Sequence, residues 1–334
     1  MAGPYNFNSQ WKSARNLVLA AASQAAWNGA LADASLTRRQ RFDGSAILDL
    51  TTTRRSDEAY AGKGTAFATD GQVTSYDSKF SGFKAELDSW LAGYLFAFLM
   101  GKDTVTGAAA PYTHAFAFDE STRTAVPTTI YMEDTEDVHY KCPDMCMNDI
   151  TLTIPDIGSV TAEMTMMGTG RQTIGSMAAL PALPTNSYLL GSDASLTLNA
   201  NALIGRHMST TLKLENQLEV HKAPGGGLYA IFVRKGAPKF SISTQIAAKD
   251  VDDTYTLFQN DTPVDFVLNV NSGAAAQLQV TIPVAHFKTT KLGFDKDMVV
   301  WQLEADETTC YAQGGNPPIT VQVINSVASY LTAA

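Results

Sequence analysis

Charge is scarce and sulfur scarcer in this 334-residue chain: charged residues make up 17%, and there are three cysteines. An odd, small number of cysteines in so long a chain argues against a disulfide scaffold and fits a reducing compartment. Basic residues are outnumbered, 24 Lys and Arg against 33 Asp and Glu, for a net charge of −9. A protein that grips nucleic acid by its phosphates carries a basic face. The only basic clusters, Arg38-Arg39-Gln40-Arg41 and Arg54-Arg55, read as solvated surface or as contacts between subunits. The longest apolar run, Trp90 to Met100, falls well short of the roughly 20 residues that span a bilayer, so no membrane partner is expected. The first residues lack the basic, apolar and small-residue succession of a secretory signal, and none is expected.

Catalytic motifs are missing as well. There is no G-x-S-x-G elbow, no Walker loop and no dinucleotide fingerprint after a strand. Gly225-Gly226-Gly227 lacks the Lys-Ser/Thr of a phosphate cradle and reads as a flexible turn. His139, Cys142 and Cys146 are the best metal candidates, but zinc needs about four ligands; no second cysteine pair follows and Cys310 stands alone. Buried thiols are the expectation, with no metal and no cofactor. Glu133, Asp134, Glu136 and Asp137 read as a solvated acidic turn between two strands, not as a general acid–base pair. The five histidines show no motif spacing. No catalytic residue is assigned and the chain is not expected to be an enzyme.

What is present is alternation. Ile150, Leu152 and Ile154 point opposite to Thr151 and Thr153. After a turn at Pro155 to Gly158, Val160, Ala162, Met164 and Met166 alternate with Thr161, Glu163 and Thr165. Successive side chains on a strand face opposite sides, so this is a hairpin with one apolar and one wet face. A second ribbon starts near Thr210, where Leu212 and Leu214 alternate with Thr211, Lys213 and Glu215, and returns through Leu218 and Val220. Ser9 to Leu36 reads as an N-terminal helical arm, from the stripe Trp11, Ala14, Leu17, Val18, Ala21 and Ala22. Gly82 to Met100 reads as a helix lying across a sheet, closed by a left-handed cap at Gly101. Arg54 to Thr69 reads as a long loop or hairpin tip. The rest is almost wholly strand, with a short helix near Lys249 to Phe258.

A Pro-rich stretch, Leu180 to Pro184, separates two halves that share an order of strand, long hairpin, more strands and a helix. The organisation expected is therefore an arm (residues 1–40), a first β unit (41–180) and a second (181–334), the repeated order being that of a duplication.

Several short segments, in this order, resemble tail tube proteins of long-tailed bacteriophages. They include Gly71-Gln72-Val73, the helix ending Phe98-Leu99-Met100-Gly101, Tyr112 to Phe118, and Val126 to Tyr131. Asn148 to Ile154, Gly158 to Met164 and Met167-Gly168-Thr169-Gly170 continue the series. Leu212 to Asn216, Val280 to Pro283 and Thr320 to Asn325 complete it, so the resemblance covers roughly residues 40 to 330. It implies a mainly β fold, a β-sandwich or partial barrel with a flanking helix; the repeated order leaves open whether one half or both carry such a unit. It also implies a structural role without enzymatic activity: copies join laterally into rings, and rings stack into a tube. The lumen holds a tape-measure protein and then conducts the genome, so the protein is expected in the virion tail after assembly in the host cytoplasm.

If the wet faces line the lumen, the lining residues are Thr151, Thr153, Glu163 and Thr165 from the first ribbon and Thr211, Lys213 and Glu215 from the second. A ring of three two-unit chains, with pseudo-six-fold symmetry, and a ring of six are both open. Arg54 to Thr69 and Pro224 to Leu228 are the candidate contacts between rings. Competing readings are a tail terminator or contractile inner tube, both normally shorter, and a carbohydrate-binding β-sandwich, which would need exposed aromatics on a sheet face.

Overall fold

The computed structural model describes residues 15–43, 45–56, 71–134, 139–185, 187–203, 205–224, 227–249, 254–295 and 298–331. The first half carries strands β1 (Asn16–Leu19), β2 (Arg38–Gln40), β3 (Ile47–Ser56) and β4 (Gly71–Glu86), then helix α1 (Ser89–Met100). It continues with β5 (Gly101–Thr106), β6 (Tyr112–Phe118), β7 (Thr128–Glu133), β8 (His139–Pro155), β9 (Thr161–Gly168) and β10 (Thr173–Ile174). The second half carries β11 (Ala194–Leu198), β12 (Asn201–Ala202), β13 (His207–Glu215), β14 (Glu219–His221), β15 (Phe232–Arg234) and β16 (Lys239–Ala247). Helix α2 (Thr254–Gln259) precedes β17 (Val264–Asn271), β18 (Gln277–Ala285), β19 (Thr289–Asp295), β20 (Met298–Asp306), β21 (Cys310–Tyr311) and β22 (Thr320–Asn325).

These strands form a 12-stranded sheet, an 8-stranded sheet and the small pair β14–β15, and every pairing in them is antiparallel. The fold is thus mainly β and of the sandwich type expected. Both large sheets draw strands from both halves: β8 of the first pairs with β13 of the second, and β6 pairs with β22.

Helix α1 fills the space between the two sheets, touching β8 of the large one and β5, β6, β18 and β22 of the other. Every residue from Leu91 to Met100 is buried, and a helix apolar on all sides has no other stable place. Asp88 caps it, accepting the Leu91 N–H at 2.9 Å, and its other carboxylate oxygen takes Arg38 at 2.6 Å. Gly101 closes it in the left-handed region at φ 79°, where a Cβ would be strained. Gly93 has a different reason to be glycine. A Cβ there would stand 2.4 Å from the ring of Tyr330, which the chain's last described residues insert against Trp90 and His114.

Two helix expectations need correction. Residues 15–36 contain no α-helix: Asn16–Leu19 is a strand buried along its length between β2 and β7, and Asp33–Ser35 is a single 3-10 turn. A central strand is apolar on both faces, so Leu17 and Val18 fit a helical stripe as readily as a buried strand. The earlier part of that expected helix, residues 9–14, lies outside the described residues. Helix α1 begins at Ser89, not Gly82, because Phe83 and Ala85 are buried while Lys84 and Glu86 are exposed. That is a period of two, and it continues β4.

The second ribbon is also corrected. Leu218 and Val220 do not return along β13; β14 pairs with β15, and the partners of β13 are β8 and β16. The turn is set by Asn216, whose buried amide donates to Leu99 O at 2.6 Å, and by Gln217 at φ 49°. Together they carry the chain out of the sheet.

Candidate lumen-wall face

Eight strands of the large sheet form one uninterrupted antiparallel path, β3-β4-β9-β8-β13-β16-β20-β19. One side of it faces the core. Ile150, Leu152, Ile154, Ala162, Met164, Leu212, Leu214, Phe240, Ile242 and Leu303 are all buried there. The opposite side is polar over most of β9, β8, β13 and β16, and the register places the seven sequence candidates together on it. Thr151 lies opposite Glu163 on one side and Lys213 on the other; Thr153 lies opposite Thr211. Asp149 lies between Thr165 and Glu215. The two ribbons read separately in the sequence are therefore neighbours in one face.

That face continues beyond them. Ser241 and Ser243 follow Lys213 and Thr211, and Asp306 and Glu304 follow in turn; Gln245 and Gln302 extend the row from Ser209. On the other flank Lys84 and Glu86 oppose Glu163 and Thr161. The alternation of β16 was visible in the sequence. Strand β20 was not, because Val299 and Val300 break the alternation just before Trp301, Leu303 and Ala305 establish it.

Charges of both signs are interleaved. Lys84 lies 3.1 Å from Glu163, Lys213 3.7 Å from Glu215, and Lys288 2.8 Å from Asp306 at the sheet's margin. Lys213, the one cation among the seven candidates, thus has a carboxylate beside it. Thr165 donates to Asp149, which also accepts from Asn148 at 2.8 Å. Burial alone would raise the Asp306 carboxyl, but hydrogen bonds from Lys288 and Thr308 hold it below its ordinary value. Exposed pairs of this kind are weak, because water screens them. Their consequence is a hydroxyl-rich surface with no long-range field of one sign.

The other groups singled out by sequence are occupied elsewhere. Cys142 belongs to the main core and Cys146 to a separate small cluster with Ala125 and Val233. All three thiols are free and buried, and burial pushes Cys142 and Cys310 up to about 12. Among the described residues no three His, Cys, Asp or Glu side chains converge as a metal site would require. Asp134 is tied to Arg15 at 2.5 Å and accepts from Tyr140 Oη at 2.8 Å. Glu136, Asp137, Gly225 and Gly226 lie outside the described residues. Arg38 is no solvated surface group, since it pairs with the helix cap and lies 5.1 Å over the ring of Trp90.

A comparison with family models matches residues 14–323 to the phage tail tube protein family. The chain belongs to that family. A comparison with curated proteins finds no match. As a tail tube protein it has a structural role and is a component of the virion tail.

Proposed function

We propose that copies of this tail tube protein close into rings, that the rings stack, and that the polar face of the eight-stranded path lines the lumen. Thr151, Thr153, Glu163, Thr165, Thr211, Lys213 and Glu215 would then meet the tape-measure protein before ejection and the genome during it. The tubes assemble in the host cytoplasm and no membrane is involved. The observation that carries this reading is the register that sets Thr151, Thr153, Glu163, Thr165, Thr211, Lys213 and Glu215 side by side on one polar face, with the main core behind it. Mixed charge and hydroxyls suit passage. Unpaired lysines would retain phosphates, whereas a screened wall acts on DNA only within roughly 8 Å at physiological salt.

Strand arithmetic favours three chains per ring. Three chains supply about 24 strands, which at ~4.8 Å spacing close to a backbone diameter of roughly 37 Å before strand tilt widens it. Side chains about 5 Å deep leave a bore of roughly 27 Å, wide enough for a DNA duplex. Six chains would give a diameter of roughly 73 Å, far wider than the cargo needs.

Contacts between rings are assigned to the outer part of the β3–β4 hairpin and to the segment around Leu228. Thr51 through Arg55 are all exposed. The second segment lies beside the first: Tyr76 N–H donates to Leu228 O at 2.9 Å, and the Tyr76 and Tyr229 rings stack at 5.3 Å. Residues 57–70, most of the expected docking loop, lie outside the described residues. Electron microscopy of the purified protein at high concentration, with a tail initiator complex, tests the reading. Tubes with three-fold rings are expected; six-fold rings would overturn the stoichiometry, and monomers alone would overturn the assembly.

A further inference from the structure

The two ends of the eight-stranded path are β3 and β19, and among the described residues each has one edge without a strand partner. Open edges are a hazard that proteins cover or use. Here they also carry apolar side chains on the core side of the sheet, beyond the reach of the second sheet. Phe294 is 80% exposed and Leu292 56%, with Val299 beside them; at the other end Leu50 is 41% exposed. On the polar side β19 presents Lys291 and β3 presents Asp49, groups of opposite sign. Because the path holds an even number of alternating strands, its two end strands run in opposite directions. A copy related by rotation therefore offers β3 antiparallel to β19.

The chain contains its own template for such a joint. Across the sheet, β3-β4-β9-β8 from the first half is followed by β13-β16-β20-β19 from the second. Each set is built in the same chain order: two neighbouring strands, a helix, a hairpin in the second sheet (β5–β6 or β17–β18), then a hairpin back in the first (β8–β9 or β19–β20). Strand directions correspond throughout. Within the chain the last strand of the first set, β8, pairs with the first of the second, β13. The corresponding strands that remain are β19 and β3.

We infer that neighbouring copies in the ring join by antiparallel pairing of β19 from one with β3 from the next, repeating between chains the β8–β13 seam within the chain. This rests on the ring reading and specifies its joint. The neighbour's Leu50 then continues the apolar layer begun by Leu292 and Phe294, and Lys291 and Asp49 come to the same stretch of wall.

The test pairs D49C with K291C and treats assembled protein with a short, flexible bismaleimide. Within one chain the two positions are separated by seven strand spacings, roughly 34 Å along the sheet, so such a link must be between chains. Covalent species of two and three chains are expected from the double variant and from neither single one. Tubes visible by microscopy without such species would overturn the joint while leaving the tube standing; failure of any assembly would overturn both. Phe294→Asp supplies the second measurement. It should raise the protein concentration needed for assembly roughly tenfold to a hundredfold with an unchanged monomer melting curve. Unchanged assembly would sink the inference.

Discussion

The β8–β13 seam and the free edges of β3 and β19 belong to one sheet but meet solvent differently. At the seam Ile150, Leu152, Leu212 and Leu214 are fully buried, and the ladder runs from Asp149–Glu215 to Pro155–Ser209. At the edges, residues of the same type stand in solvent: Leu50, Leu292 and Phe294. The difference teaches where covalent connection ends. Folding secures the joint inside the chain, whereas the proposed joint outside waits for a partner and depends on concentration.

The comparison breaks most strongly at the seam's centre. Leu152→Ala removes a fully buried side chain facing Leu212 across the ladder and should lower stability by about 2–5 kcal/mol, read from denaturant unfolding of the monomer. Leu50→Ala, at the free edge, should leave that unfolding curve within about 0.5 kcal/mol. Equal losses would mean that the edge is already packed within the chain. Next in size is Asn216→Ala at the seam's end. The Asn216 amide donates to Leu99 O at the end of α1 and to Met147 O at 3.3 Å on β8. Its loss strands two buried carbonyls and should cost about 1–3 kcal/mol by the same measurement.

This contrast also shows what the sequence could carry. The β8–β9 hairpin and its faces were legible because Thr151, Thr153 and Glu163 alternate with buried partners at period two. That β13 lies beside β8 was not legible, since nothing in Thr211 or Lys213 names a partner strand some sixty residues away. Pairing between distant strands is set by the whole core, not by local pattern. The arm was misread for a related reason: Leu17, Val18 and Leu19 are buried between two strands that lie far along the chain or beyond a loop. Phe83 and Leu87 fit the spacing of α1 while belonging to a strand and its exit. Open edges leave no periodic mark at all, and the apolar residues of β19 look like ordinary core until their exposure is known.

The second sheet supplies a contrast in pH dependence. His114 is fully buried, with Nδ1 donating to both Asp103 carboxylate oxygens at 3.0 Å and Nε2 donating to Val327 O at 2.8 Å. Burial disfavours the imidazolium, but the Asp103 carboxylate and the Val327 carbonyl outweigh it, and the pKa is raised above the ordinary 6.5. The folded state therefore holds this proton more tightly than the unfolded state. The tie's contribution is complete below about pH 6.5 and is lost as pH rises through the folded value. Melting temperature should fall over that interval, and His114→Gln should flatten the slope. A β8–β13 seam variant should retain it, because no histidine is paired across that ladder.

The smallest stability effects are expected on the proposed lumen face. Thr153 and Thr211 oppose each other with exposed side chains, so Thr211→Ala should alter monomer stability by no more than about 0.5 kcal/mol. Glu215→Lys should be similarly mild in the monomer, yet it leaves Lys213 without its neighbouring carboxylate and adds a cation to each copy. Repeated around every ring, that change gives the wall a basic stripe, and DNA phosphates should dwell on it. Release of DNA from virions carrying Glu215→Lys tubes should slow at low salt and recover as salt is raised, while the same substitution at Glu219, whose strand β14 pairs with β15 and with no strand of the path, should leave release unchanged. Equal slowing by both variants would show that overall charge governs passage and that this face has no special contact with the cargo.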